Sequence, residues 1–101
     1  MKRLLTIGET MAAFTPAADG PLRYVRDYQL RIAGAESNLA IGIAKLGGRA
    51  TWMSRLGADE LGAFVLGQIR AEGVDCSRVL QDEAHPTGVM FKQTGVGETS
   101  V

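Results

Sequence analysis

Short apolar runs separated by glycine and proline predict an α/β fold for the first half of the chain. The run from Arg3 to Gly8 (RLLTIG) is apolar and ends in glycine, which is typical of a buried strand in a mostly parallel sheet. The segment PAADGP then breaks the pattern. From Leu22 to Ile32 the even-numbered positions are mostly apolar and the odd ones mostly polar, with an interruption at Arg26. This alternation predicts a strand with one apolar face.

The sequence after Ile32 predicts two helices with a strand between them. Apolar side chains recur at helical spacing over residues 37–46, and Gly47-Gly48 supplies the left-handed conformation that ends many helices. Residues 51–55 predict a second core strand. Asp59 then precedes an amphipathic run over residues 60–72 and is a typical N-cap. The order strand, helix, strand, helix predicts a parallel sheet with right-handed crossovers.

The pattern after Gly73 predicts a second, smaller sheet. We predict an extended arm over residues 88–93, a turn at Gly95-Val96-Gly97 and a second arm beginning near Glu98. The second sheet would then comprise strands over about 22–33 and 87–101, inserted around α/β units over about 3–15 and 34–80. Two helices and two core strands leave at least one face of the parallel sheet uncovered. We therefore expect the 101 residues to be part of a longer protein.

Composition excludes several classes of function. An apolar content of 46% is ordinary for a globular domain, and eleven basic residues balance eleven acidic ones without a Lys/Arg cluster, so we expect no nucleic-acid partner. Glu9 interrupts the N-terminal apolar run, and no stretch reaches membrane-spanning length, so we expect a cytoplasmic protein without membrane contact. Cys76 is the only cysteine and His85 the only histidine, so we expect no disulfide and no metal site here.

The stretch Gly34-Ala35-Glu36-Ser37-Asn38, at the entry to the first helix, is the strongest candidate for chemistry. One interpretation is a binding surface: small residues allow close approach, the helix N-terminus favours a polar or anionic ligand, and Asn38 offers donors and acceptors. The other is a tight turn in which Ser37 caps the helix and Asn38 bonds local backbone.

The other motifs give weaker evidence of a function. The segment from Gly57 to Gly62 is explained by a capped helix start, and Gly95-Val96-Gly97 lacks the strand-turn-helix context of a nucleotide-binding loop. No nucleophile and base pair supports hydrolysis. The large side chains of the predicted second sheet could pack on another subunit or touch a ligand, one role for each face; they are Tyr24, Tyr28, Met90 and Phe91.

Six short motifs in order carry a family resemblance that covers nearly the whole chain. They are GET-x-x-x-F-T-P from Gly8, AGAESN-x-A from Ala33, AKLG from Ala44, RLG-x-D-x-x-G from Arg55, EGVD from Glu72 and PTG from Pro86. The sequence thereby resembles the ribokinase-like (PfkB) carbohydrate kinases, and within them it is most similar to 2-keto-3-deoxygluconate kinases.

The resemblance implies an α/β sandwich with a small β-sheet lid, ATP-dependent phosphorylation of a sugar or sugar acid with Mg²⁺, and a homo-oligomer joined through the lid. It implies that Gly34, Ala35, Glu36, Ser37 and Asn38 lie along the substrate and that Met90 touches it from the lid. Many members place a sugar-binding Asp where this chain has Ala13. A neutral residue there favours a keto-acid over fructose or ribose.

The family's catalytic Asp, in a G-A-G-D motif, does not occur in these residues. The resemblance places that motif, the nucleotide site and the Tyr and Arg residues of the next lid strand beyond Val101. We therefore expect no catalytic or cofactor-binding residue here, and no activity from residues 1–101 alone. Two alternatives remain open: a kinase for fructose or another neutral sugar, and a non-catalytic sugar-binding module.

Overall fold

The computed structural model describes residues 3–95 and 98–100. Three parallel strands form the first sheet in the order β1-β4-β5: β1 (Arg3–Ile7), β4 (Arg49–Gly57) and β5 (Val79–Asp82). The predicted parallel α/β architecture is confirmed. The sequence pattern missed β5, because a strand of four residues with two apolar side chains gives little periodicity to recognise.

Two helices connect these strands, and their ends follow the predicted signals. The first, α1 (Ala35–Lys45), ends where Gly47 adopts φ +86° and the N–H groups of Gly47 and Gly48 donate to the carbonyls of Ala44 and Ile43, at 3.1 and 3.0 Å. This is a Schellman motif. The second, α2 (Glu60–Ala71), is preceded by Asp59, whose carboxylate accepts the Gly62 N–H at 2.7 Å, as predicted for an N-cap.

The second sheet has the order β3-β2-β6, with β2 (Met11–Pro16) in the centre, β3 (Tyr28–Ala33) antiparallel to it and β6 (Val89–Phe91) parallel to it. Two details of the prediction are wrong. Residues 11–15 belong to this sheet and not to an α/β unit. The strand predicted from Leu22 is shorter, because Pro21 starts a 3-10 helix, Leu22–Tyr24, in which the Tyr24 N–H donates to the Pro21 carbonyl at 3.0 Å.

The C-terminal hairpin also differs from the prediction. Its arms are β7 (Gln93–Gly95) and β8 (Glu98–Ser100), which pair with each other, whereas β6 pairs with β2. The predicted arm over residues 88–93 is therefore divided between two sheets. The Lys92 N–H, between β6 and β7, still donates to the Phe14 carbonyl at 3.1 Å. Val96 and Gly97 of the predicted turn lie outside the described residues.

Both helices pack on one face of the parallel sheet, around Trp52. Its side chain is fully buried among Ala40 of α1 and Val65 and Ile69 of α2, and its indole N–H donates to the Gly8 carbonyl at 3.0 Å. The opposite face is uncovered in the described part of the chain, as the sequence predicts. Three of its apolar side chains are exposed by more than half: Leu5, 53%; Ile7, 64%; Leu80, 59%.

Candidate functional site

The entry to α1 is built on a buried hydroxyl pair. Thr10, just before β2, donates a 2.8 Å hydrogen bond to Ser37, whose hydroxyl donates to the Gly34 carbonyl at 3.1 Å, and both hydroxyl side chains are fully buried. A Cβ at Gly34 would meet the Thr10 hydroxyl and, at 3.0 Å, the Glu9 carbonyl. Because φ of Gly34 is −178°, an extended value that any residue adopts, glycine is required here by close packing and not by backbone conformation.

This arrangement leaves the N-terminus of α1 without a side-chain cap. Gly34 is the N-cap residue, and no side chain among the described residues caps the first turn. The hydroxyl of Ser37 supports the turn from inside and is not a helix cap. The first N–H groups of a helix have no partner within the helix and carry the positive end of its dipole. The end that contains Ala35 can therefore receive a polar or anionic group.

Glu36 lies against the end of β1. A Cβ placed on Gly8 would be 2.5 Å from the Glu36 carboxyl carbon, so the side chain covers the glycine closely, and Glu36 is half-buried. The Gly8 N–H donates to the Met53 carbonyl at 3.3 Å, which joins this point to β4. The absence of a side chain at Gly8 is what allows the first turn of α1 to approach the parallel sheet.

Asn38 lies on the exposed side of α1, at the edge of a groove of about 390 Å³ between α1, α2 and β3. Its side chain makes no hydrogen bond to the rest of residues 3–95 and 98–100, so it bonds no local backbone there. Its amide is free to meet a ligand. The groove is lined by Gln29, Leu30, Arg31, Ile32, Asn38, Ile41, Lys45, Gln68 and Glu72.

Met90 lies on the face of the second sheet that we call the Ala13 face. Ala13 is directly opposite Arg31 on β3 and Met90 on β6, and residues in lateral register point to the same side of a sheet. Ala13 is buried, with 1% of its surface exposed, whereas Arg31 is exposed and Met90 half-buried. The Arg31 guanidinium donates to the Gln29 side chain at 2.7 Å. A neutral position is thus flanked by a cation and a thioether.

Thr15 adds an unusual polar group to the Ala13 face. It follows Ala13 by two residues on β2, and its hydroxyl oxygen is buried with no hydrogen-bond partner in the described part of the chain. A buried hydroxyl without a partner costs free energy, so such groups call for an explanation. Neither Thr15 nor Arg31 was singled out from the sequence, because only the pairing of β2 with β3 and β6 places them on the same face as Met90.

The segment that follows β1 connects the two groups of candidate residues, those at the N-terminus of α1 and those on the Ala13 face. Gly34 packs on Thr10, and Met90 pairs with Ala13, three residues further along. Three residues of an extended chain span about 10 Å, at about 3.3 Å per residue. One small molecule can therefore reach from the N-terminus of α1 to the Ala13 face.

The opposite face of the second sheet carries an aromatic cluster that we call the Phe14 cluster. The rings of Phe14 and Phe91 stack at 4.8 Å between centroids, and Tyr28 meets them edge-on at 6.5 and 5.6 Å. Phe91 is 43% exposed. Tyr24, at 72% exposure, lies outside the cluster and stacks with the Arg23 guanidinium at 4.7 Å. The sheet thus has one polar candidate face and one partly exposed aromatic face.

A further groove, of about 320 Å³, lies at the carboxyl ends of β4 and β5. His85 is 79% exposed, and its ring lies 2.9 Å from Asp82, which is 3.9 Å from Arg55. The hydrogen bond from the Ala84 N–H, and then that from His85, hold the pKa of Asp82 below its usual value. Carboxyl ends of parallel strands commonly face ligands, but the charges here are largely paired with each other.

Among residues 3–95 and 98–100, no three His, Cys, Asp or Glu side chains lie close enough together to bind one metal ion. The Mg²⁺ implied by the family resemblance therefore has no ligand set in this part of the chain, and no step below passes through it. No helix within the described ranges is both long and apolar enough to cross a membrane. Cys76 is buried, and burial raises the pKa of its thiol.

Comparison with known families and proteins gives matches over almost the whole chain. The profile of the "pfkB family carbohydrate kinase" matches residues 1–101. A 2-dehydro-3-deoxygluconokinase of Bacillus subtilis is 49% identical over 90 residues, which are 87% of this chain and 28% of that protein. A fructokinase of Escherichia coli is 33% identical over 89 residues, 88% of this chain and 27% of that protein. The chain thus spans little more than a quarter of the length of these relatives.

Solved structures agree with the sequence matches. A PfkB protein from Polaromonas sp. JS666 superimposes with a TM-score of 0.91 and 40% identity, over 96% of this chain and 33% of that one. An uncharacterized sugar kinase from Pyrococcus horikoshii in complex with ATP gives a TM-score of 0.90 at 29% identity, over 96% of this chain and 32% of that one.

Proposed function

The chain belongs to the pfkB family of carbohydrate kinases, and from that membership we propose that the full protein uses ATP to phosphorylate a sugar acid, 2-keto-3-deoxygluconate. Residues 1–101 would be the N-terminal part of its single kinase domain and would supply part of the sugar site. The 49% identity to a 2-dehydro-3-deoxygluconokinase, another name for the same activity, supports this choice of substrate.

The observation that carries the proposal is the row formed by Arg31, Ala13 and Met90 on the Ala13 face. A carboxylate bound near this row would meet a guanidinium and no opposing charge at Ala13. Arginine is well suited to carboxylates because its N–H groups match the two oxygens. An Asp at position 13 would repel the same carboxylate.

The candidate residues then divide into those that would contact the substrate and those that would hold the turn in place. The first-turn N–H group of Ala35 and the Asn38 amide would bind polar groups of the substrate, while Met90 would pack against its carbon chain. Gly34, Glu36 and the hydroxyl of Ser37 would shape the turn, since their atoms are already in contact with Thr10 or Gly8. In phosphoryl transfer these contacts act by positioning the attacking hydroxyl.

ATP would be bound by parts of the protein beyond these residues, together with the catalytic Asp and Mg²⁺. The solved relative in complex with ATP supports the choice of nucleotide. We propose the cytoplasm as the location, because the reaction consumes ATP. We also propose a homo-oligomer joined through the second sheet, since the Phe14 cluster is partly exposed on the face opposite the candidate site.

A fructokinase is the second candidate, favoured by the 33% identity to the Escherichia coli enzyme. A non-catalytic sugar-binding module is the third. Measuring ADP release by the full-length protein with 2-keto-3-deoxygluconate and with fructose separates them. We expect a higher kcat/KM for the acid. A preference for fructose would indicate a fructokinase, and calorimetric binding of a sugar without ADP release would indicate a binding module.

A further inference from the structure

A compact hydrogen-bond network ties the loop before β6 to the start of α2. The carboxylate of Asp59 accepts three hydrogen bonds: from the Thr87 N–H at 2.9 Å, from the Thr87 hydroxyl at 2.7 Å and from the Gly62 N–H at 2.7 Å. The Thr87 hydroxyl also accepts the Gly57 N–H at 3.0 Å. Thr87 is 5% exposed, so its N–H and hydroxyl have little access to water, whereas Asp59 belongs to the exposed residues.

This network exceeds what a helix N-cap needs. An N-cap side chain ordinarily satisfies N–H groups of its own first turn, as Asp59 does for Gly62. The bonds to Thr87 join residues 28 positions apart. Two glycines allow the approach: a Cβ at Gly57 would collide with the Asp59 carboxylate, and a Cβ at Gly62 would be 2.8 Å from the Thr87 hydroxyl. The chain is therefore packed closely around this contact.

The Asp59–Thr87 pair lies where the two sheets join. Gly57 is the last residue of β4 in the parallel sheet. Gly88, directly after Thr87, accepts the Ala12 N–H through its carbonyl at 2.9 Å, and β6 begins at the next residue. Met90 is only three residues from Thr87, so the direction in which the chain leaves Thr87 determines where Met90 lies relative to the N-terminus of α1.

We propose that Asp59 and Thr87 are positioning residues for the sugar: they fix the direction in which the chain passes from the parallel sheet into β6 and thereby the distance from Met90 to Gly34–Asn38. The inference rests on the proposed function, because it takes these residues as the sugar site. Displacement of a positioning group by about 1 Å can lower a rate about 100-fold. Neither residue touches the sugar itself, so both act through Met90.

The test uses the full-length enzyme with Thr87→Val, which removes the hydroxyl at nearly constant shape, and Thr87→Ser, which keeps it. We expect Thr87→Val to raise the KM for the sugar about tenfold or more while the KM for ATP stays within twofold, and Thr87→Ser to restore the sugar KM. Asp59→Asn should also raise the KM for the sugar and leave the KM for ATP within twofold, but the rise should be smaller. A uniform loss of folded protein would change kcat and leave both KM values unchanged.

Asp75→Asn is the matched control. Its carboxylate also accepts a nearby backbone N–H, that of Ser77 at 2.9 Å, but it lies beside Thr51, near the opposite end of β4. If Thr87→Val and Asp59→Asn lower the melting temperature yet leave the sugar KM within twofold of wild type, the network is structural only and the inference is wrong. If Thr87→Val does not fold, the sugar KM values of Asp59→Asn and Thr87→Ser test the inference instead.

The kinase proposal can fail separately. If the wild-type protein binds the sugar but releases no ADP, the calorimetric Kd of the sugar replaces KM in the same set of variants, and the same tenfold and twofold limits apply. A wild type that binds no sugar overturns both proposals.

Discussion

The hydroxyl of Thr10 donates a 2.8 Å hydrogen bond to the hydroxyl of Ser37, and both side chains are fully buried where β1, β2 and α1 meet. This pair sets the position of Gly34 and of the first turn of α1. It separates the residues that build the turn from those that can reach a ligand, a distinction that the motif AGAESN does not make by itself.

Ser37→Ala should destabilise the full-length protein by about 1–3 kcal/mol, because it leaves the buried Thr10 hydroxyl without its acceptor. Urea denaturation measures the change. Thr10→Val should cost less than Ser37→Ala, because the Ser37 hydroxyl still donates to the Gly34 carbonyl. The double variant should cost less than the sum of the two, since no orphaned hydroxyl then remains. Strictly additive costs would contradict the pairing.

Asn38→Ala should lower kcat/KM for the keto-acid about 5- to 150-fold, which corresponds to a polar contact of about 1–3 kcal/mol. Its melting temperature should hardly change, because Asn38 is exposed and makes no side-chain hydrogen bond within the described residues. Gln68→Ala is the control, since Gln68 lines the same groove from α2. A large fall in melting temperature with kcat/KM within twofold would make Asn38 a structural residue.

Arg31→Gln should lower kcat/KM for the keto-acid about 10- to 150-fold and leave that for fructose nearly unchanged, because a hydrogen bond to a charged group is worth about 1.5–3 kcal/mol. Steady-state kinetics with both sugars gives the ratio. Arg23→Gln is the matched control, because that guanidinium stacks on Tyr24 away from the Ala13 face. An equal loss of kcat/KM for both sugars would show that Arg31 does not bind the carboxylate.

Asp59 should stabilise the fold at neutral pH and cease to do so in acid. Hydrogen bonds from the Thr87 N–H, the Thr87 hydroxyl and the Gly62 N–H hold the pKa of its carboxyl below the ordinary 3.8. The stabilisation is therefore complete above that ordinary value and is lost as pH falls through the lower pKa of the folded state. Urea denaturation of wild type and Asp59→Asn should converge as the pH falls below 3.8.

The pKa values of Asp75 and Asp82 are lowered too, chiefly by the Ser77 and Ala84 N–H groups, so wild type alone does not isolate Asp59. The difference between wild type and Asp59→Asn does. If the two proteins lose stability in parallel over the whole acid range, the carboxylate of Asp59 contributes nothing through its charge.

Tyr28→Glu should shift the full-length protein from dimer toward monomer, because it places a charge in the Phe14 cluster. Sedimentation velocity at several concentrations measures the shift. Tyr24→Glu, outside the cluster and 72% exposed, should leave the assembly unchanged. A wild type that is monomeric at all concentrations would rule out an interface through this sheet.

The sequence by itself determined the features that depend on near neighbours. The N-cap of α2 at Asp59 and the glycine stop at Gly47 follow from contacts within a few residues, which local patterns record directly, and the alternation of strand and helix patterns along the chain indicates the α/β class. The motif around Gly34 was also visible in the sequence, together with the family that carries it.

Only the tertiary structure decided how distant segments meet. The pairing of β2 with β6 joins residues more than seventy positions apart, and the hydrogen bonds from Thr10 to Ser37 and from Thr87 to Asp59 join residues 27 and 28 positions apart. Arg31 and Thr15 share one face of the second sheet with Met90 for the same reason. Such pairings depend on the competition between whole sheets, because a short strand such as β5 or β6 has too few side chains to specify its partner locally.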